Sequence, residues 1–136
     1  MTSEFMRDLL SKDEKITVEY KTCQFGIQED VYETVCSFSN RYGGYIIMGT
    51  EDDGTPIGVK QNMVKDMKRN FVNQLNNPDK MSPTLYLSIE DFEYEGKILL
   101  WVYVPPTATV EKCGNRIYDR NEDGDMDITD SPIQLQ

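Results

Sequence analysis

The stretch Ser37 to Gly58, SFSNRYGGYIIMGTEDDGTPIG, constrains the fold of this chain more than any other. Val31, Val35 and Phe38 recur at helical spacing and stop at Asn40. Gly43-Gly44 follows, a pair that can take the positive φ needed to leave a helix sharply. Tyr45 to Met48 is a short apolar run of strand formers, and Gly49 lets another backbone or a ligand come close. Glu51-Asp52-Asp53-Gly54 reads as a tight acidic turn, with Ile57-Gly58-Val59 returning as a second strand. Helix, buried strand and turn therefore follow one another without a linker.

The remaining chain supplies partners for that unit. Thr2 or Ser3 can cap a short helix with Phe5, Met6, Leu9 and Leu10 on one face. Ile16, Val18 and Tyr20 alternate with Thr17, Glu19 and Lys21, which predicts a half-buried strand carrying Glu19 and Lys21 on its other face. The helix over about 28–41 opens on Glu29 and Asp30, charges suited to a helix N-terminus. Val64, Met67, Phe71 and Leu75 define a second amphipathic helix that Asn76-Asn77-Pro78 ends. Ser82-Pro83 opens an alternating strand with Leu85, Leu87 and Ile89 on one face. Glu95-Gly96 turns it into the nearly continuous apolar run 98–104, the candidate central strand, which Pro105-Pro106 stops. Val110-Glu111 and Arg116 to Tyr118, around Gly114-Asn115, predict a small hairpin. Interleaved strands and helices give the fold class α/β (α+β): a mixed β-sheet with two main helices, in a single domain over 1–136.

Composition excludes several chemistries. With no histidine, the usual general base, the Ser/His and Cys/His nucleophile systems and His-ligated metals are all absent. Cys23, Cys36 and Cys113 are odd in number and lack CxxC spacing, which points to reduced core residues rather than a disulfide frame or zinc site. No apolar run approaches the roughly 18–20 residues of a membrane span and no signal-peptide pattern opens the chain, so a cytoplasmic protein without membrane contact is expected. The net charge is −10, from 24 acidic and 14 basic residues, the opposite of the usual nucleic-acid-binding balance.

The succession of helix, FSNRYGG, apolar strand, GTEDDG and PIG, with VEYK at Val18 to Lys21 upstream, resembles the AlbA-like domain shared with Schlafen proteins, to which DNA binding is ascribed. The resemblance implies a nucleic-acid-binding domain of a transcriptional regulator. It also implies that 1–136 is the N-terminal part of a longer protein, because relatives continue into an ATPase-like or winged-helix region. The Schlafen core resembles two copies of this domain forming a cradle, so a homodimer is the expected assembly. Schlafen ribonucleases carry one glutamate five residues before the E-[FY]-K glutamate and an aspartate past the GG strand; here Glu14, Glu19 and Asp52 hold those places. Three such carboxylates could share Mg2+ or Mn2+ in a metal-dependent endoribonuclease. Otherwise they are a solvated strand edge and turn.

Two further sets stand on the residues themselves. Lys21, Arg41 and the Gly43-Gly44 turn are a candidate phosphate site, since glycine turns bring backbone N–H groups close to an anion. The structural alternative pairs Lys21 with a carboxylate and leaves the glycines to the turn. Asp119, Asn121, Asp123, Asp125, Asp127 and Asp130 fall at the spacing of a calcium loop with Gly124 at its sixth place, so Ca2+ is a candidate ligand. The same segment resembles the tyrosine–arginine strand and glycine turn of AlbA-like domains, here Tyr118, Arg120 and Gly124, which makes Arg120 a nucleic-acid-contact candidate instead. Tyr42, Tyr45, Tyr86, Tyr94, Tyr103 and Trp101 are either stacking platforms for bases or core. Three functions stay open: nucleic-acid binding without catalysis, metal-dependent RNA cleavage, and a non-catalytic dimerisation module.

Overall fold

The computed structural model describes residues 1–12 and 17–131. Helix α1, Ser3–Leu10, is capped by Thr2, whose hydroxyl oxygen accepts from the Phe5 N–H at 3.1 Å. Strand β1, Val18–Lys21, is followed by α2, Asp30–Ser39, and β2, Gly44–Met48. A 3-10 turn, Gln61–Met63, leads into α3, Val64–Leu75. Then come β3, Met81–Ser82, β4, Glu90–Tyr94, and β5, Lys97–Val104. The last elements are β6, Lys112–Cys113, β7, Tyr118–Asn121, and β8, Gly124–Asp127. This is an α+β fold on a mixed four-stranded sheet in the order β1-β2-β5-β4, with β1 and β2 parallel and the other pairs antiparallel.

The two central strands are the two apolar runs of the sequence. Ile46, Ile47, Met48, Leu99, Leu100 and Val102 are all buried, each contributing about 1.5–3 kcal/mol relative to exposure. One sheet face packs on α2 and α3 through Val31, Val35, Phe38, Met67, Phe71 and Leu75. The other packs on α1, where Met6 and Leu9 meet Val18, Tyr20, Ile47 and Leu99. Alternation along β1 thus sends Val18 and Tyr20 toward α1 and leaves Glu19 on the α2 side.

Three expected strands are replaced. Residues 57–59 do not form one: the Ile57 and Gly58 N–H groups both reach the Gly49 carbonyl, at 2.8 and 2.9 Å, and one bridge, Thr50 to Pro56, closes the turn. The alternating run at 83–89 stays outside the sheet. The Glu95-Gly96 turn fixes Tyr94 opposite Lys97 and Glu90 opposite Trp101, so pairing with β5 spans 90–94 and ends before Ile89. Leu85, Leu87 and Ile89 pack on the core without a ladder. In the region around Gly114, β6 pairs with β3 rather than with Arg116 to Tyr118, which meets Cys113 through a single bridge. The hairpin there is β7–β8, and α2 lies between it and the sheet.

Candidate functional site

Helix α2 sets the geometry. Its apolar stripe faces the sheet, while Thr34 and Ser37, three residues apart and themselves fully buried, turn to the β7–β8 hairpin. Both hydroxyls donate to the Asp125 carboxylate at 2.6 Å. Arg120 sits directly opposite Asp125 in the hairpin and donates from Nη1 to Asp125 Oδ1 at 2.9 Å and to Glu19 Oε1 at 2.8 Å. Its Nη2 donates to the Val18 carbonyl at 3.3 Å, and the guanidinium lies 4.8 Å over the Phe38 ring. The Arg120 side chain is 1 % exposed, so strand, helix and hairpin are fastened by one buried ionic network.

Around this network opens a cleft of about 400 Å3, lined by Glu19, Lys21, Asp30, Glu33 and Arg120 with 122–125 of the hairpin turn. Its cations are committed internally: Lys21 Nζ lies 2.9 Å from Asp30 Oδ2. Burial pulls the Lys21 ammonium down, yet the Asp30 hydrogen bond and the Glu19, Asp30 and Asp125 charges outweigh it and raise its pKa. Glu33 is pushed up by burial and by Asp125 and Asp30. Arg41 is likewise taken, forming a bidentate pair with Asp119 at 2.8 and 2.6 Å.

The expected site residues are therefore dispersed. Glu14 lies outside the described residues. Glu19 faces α2 and pairs with Arg120, whereas the turn bearing Asp52 packs Gly54 near Tyr20, on the α1 side of β1. The structure does not bring Glu19 and Asp52 together. Lys21 pairs with Met48 at one end of the parallel ladder and Gly44 sits beyond the other, roughly 13 Å away at about 3.3 Å per residue. Lys21 and the glycine turn are not one phosphate site, because strand direction separates them.

The segment with calcium-loop spacing folds as the β7–β8 hairpin and the turn after it. A wrapped loop turns its ligands inward, but in this ribbon Asp119 and Asn121 leave one face while Asp125 and Asp127, paired with Arg120 and Tyr118, leave the other. Asp119 meets Arg41, Asp125 meets Arg120, and Asp127 and Asp130 both meet Arg116, at 2.7 and 3.4 Å. Asn121 Oδ1 accepts from the Asp123 N–H at 2.8 Å, an Asx turn. The Arg116 hydrogen bond, followed by that of Thr129, depresses the Asp127 pKa to about 2. Among the described residues no group of three or more acidic, Cys or His side chains is placed to hold a metal ion.

Gly43 and Gly44 open instead on a different cleft, of about 290 Å3, with Phe5, Asp8 and Leu9 of α1 and Lys12 just beyond it on one side and Tyr42, Tyr45 and Tyr103 on the other. Sequence reading weighed the tyrosines individually and did not connect Phe5 and Lys12 with them. The usable signal was period two: Tyr45 pairs with Tyr103, and Trp101 shares their face. The Thr34–Ser37–Asp125 network was also missed, although two hydroxyls on a buried helix face call for a polar partner.

Glu111 carries a separate consequence. It is 1 % exposed, its Oε2 has no hydrogen-bond partner among the described residues, and burial raises its pKa to about 7. Its backbone is fixed by Asn40, which accepts from Glu111 N at 2.7 Å and donates to the Glu111 carbonyl at 2.9 Å. The carboxyl holds its proton more tightly folded than unfolded, so its stabilising contribution is complete below the ordinary 4.5 and lost as pH rises through about 7. Glu33 adds in the same direction. Glu111→Gln is expected to flatten most of the fall in melting temperature between these pH values, and an unchanged profile would reject this assignment.

Fold and site together define an α+β domain whose mixed sheet is fastened to a C-terminal hairpin through a buried arginine. The sequence model of the family described as Schlafen, AlbA_2 matches residues 14–129, and the chain belongs to that family. It is similar, at 26% identity and a TM-score of 0.61, to the N-terminal domain of a Nitrosomonas europaea protein named as related to the ATP-dependent DNA helicase RecG; the match covers 76% of this chain and 72% of that one. The DIP2311 protein of Corynebacterium diphtheriae shares the fold at 17% identity and a TM-score of 0.64, over 89% of this chain and 25% of that chain, so this chain spans about a quarter of its length. No curated protein matches this chain. Among the described residues no helix is long and apolar enough to cross a membrane.

Proposed function

We propose that this domain binds nucleic acid as one module of a larger transcriptional regulator. The observation that carries the reading is the likeness to the N-terminal domain of a RecG-related protein within the same fold. The geometry narrows where contact would occur. At the Arg120 cleft Lys21 and Arg120 are neutralised by Asp30, Glu19 and Asp125, and the wall carries Glu33, Glu122 and Asp123 besides. A phosphate backbone is repelled there. The Gly43-Gly44 end is the better candidate, with aromatic rings and Lys12 in place of an acidic wall.

Few phosphates would then be neutralised. Fluorescence anisotropy with labelled DNA and RNA across a salt series is expected to show weak binding whose log–log slope is no steeper than about −2, at roughly −0.7 to −0.9 per phosphate contact. Absence of binding at low salt would sink the proposal. RNA shortened only in Mg2+ or Mn2+, and intact in EDTA, would instead favour the ribonuclease reading through Glu14, Glu19 and Asp52.

A further inference from the structure

We propose that the cleft beside the Gly43-Gly44 turn is a stacking slot for one unpaired base of a single-stranded nucleic acid. The inference rests on the nucleic-acid reading and adds to it the strand form and the mode of contact. Its floor is Tyr45, wedged among three other rings: Tyr103 at 5.0 Å and 49°, Phe5 at 5.5 Å and 80°, and Trp101 at 6.2 Å and 39°. Such tilted and edge-on packing fixes Tyr45 before any ligand arrives. The rings around it are not consumed by the core. Tyr42 is 64% exposed, Tyr103 43% and Phe5 38%, although α1 already covers the neighbouring half of this sheet face.

Size and charge select the occupant. About 290 Å3 lies at the lower edge of small-ligand sites, roughly 300 Å3 upward, which suits one flat ring rather than a duplex or a protein helix. A base inside a duplex has both faces covered by its neighbours, so only an unpaired one can enter. Charge at the rim is nearly balanced. Lys12 stands 3.6 Å from Asp8, both exposed, so the rim carries one solvated ion pair and no acidic wall to repel a strand. A protein of net charge −10 cannot gather a strand through its backbone charge, but stacking on aromatic faces is indifferent to that charge.

The chain provides its own reporter, because Trp101 is its single tryptophan and touches Tyr45. The test titrates the whole chain with an oligothymidylate, with an abasic oligomer of equal length, and with a duplex, following Trp101 emission and anisotropy. Oligothymidylate is expected to bind and change the emission, with the abasic strand and the duplex weaker by at least about fivefold. Tyr103→Ala and Tyr42→Ala should each weaken oligothymidylate by roughly 5- to 100-fold, the range of one base–aromatic stack. Tyr103→Phe should keep the affinity, since the ring and not the hydroxyl stacks. Tyr42→Ala removes a surface ring, and its unchanged melting curve serves as the folding control.

Equal binding of thymidylate and abasic strands would overturn the slot while leaving nucleic-acid binding intact. Binding of neither would overturn both. Tyr103→Ala that splits a dimer without altering base-dependent binding would also overturn the slot, assigning this face to a second copy of the chain.

Discussion

Arg120→Ala is expected to lower the unfolding free energy by about 3–5 kcal/mol, the cost of removing one partner from a buried ionic group. The loss is large because of what stays behind. Glu19 and Asp125 keep side-chain exposures of only 10% and 14%, and both would face a low-dielectric interior without their cation. The Phe38 ring would lose the guanidinium above it as well. Lysine cannot substitute, since one ammonium cannot repeat the guanidinium's contacts to Glu19, Asp125 and Val18 with fixed planar geometry. Arg120→Met with Glu19→Gln should recover part of the deficit by removing one stranded charge. Urea unfolding of the variants measures this directly. A deficit for Arg120→Ala below about 1 kcal/mol, the size of a surface pair, would show that the network is solvated and does not fasten the hairpin.

Gly43→Ala should be about as damaging, for a steric reason. Gly43 has φ +75°, and a Cβ there would stand 2.5 Å from the Val104 carbonyl oxygen and 2.8 Å from Pro106 Cδ. Strained φ costs about 1–3 kcal/mol and forcing atoms into a packed region about 1–3 more. The Val104 carbonyl cannot step aside, because Val104 is in the β5 ladder opposite Gly44. Gly96 is the internal control: φ is +76° there, yet nothing lies within 4 Å of the added carbon. Its alanine variant should carry only the strained-φ share, about 1–3 kcal/mol, without the overpacking. If denaturation midpoints of the two variants coincide, the close approach at Gly43 is not what shapes the helix-to-strand turn.

Legibility of the fold followed the range of the interaction responsible. Helix α2 with its stop at Asn40, the β2 run and the Glu95-Gly96 turn were readable, because each depends on neighbours a few residues apart. Helix α3 was readable for the same reason. The run at 83–89 has flawless alternation and still lies outside the sheet, since a hairpin turn further along fixed which residues could pair. Alternation reports that one side is buried; it does not report a ladder partner.

Candidate sites were legible as residue types and illegible as constellations. Asp119 to Asp130 has calcium-loop spacing, and its carboxylates answer Arg41, Arg116 and Arg120 instead. Lys21, Arg41 and Arg120 are the cations a phosphate would want, and each is matched by an acid on another element: Asp30 for Lys21, Asp119 for Arg41, Glu19 and Asp125 for Arg120.

By itself, then, the sequence determined the family, the α+β class, the two central strands and the glycine exit from α2. These follow from local periodicity and from backbone geometry that glycine alone permits without strain. Only the tertiary structure decided which charges cancel, that the Glu19 face of β1 meets Arg120 of the hairpin, and that Phe5, Tyr42, Tyr45 and Tyr103 surround one cleft. Those outcomes depend on pairings as long as the 101-position separation of Glu19 and Arg120, and spacing along a chain carries no record of such distances until the chain has closed on itself.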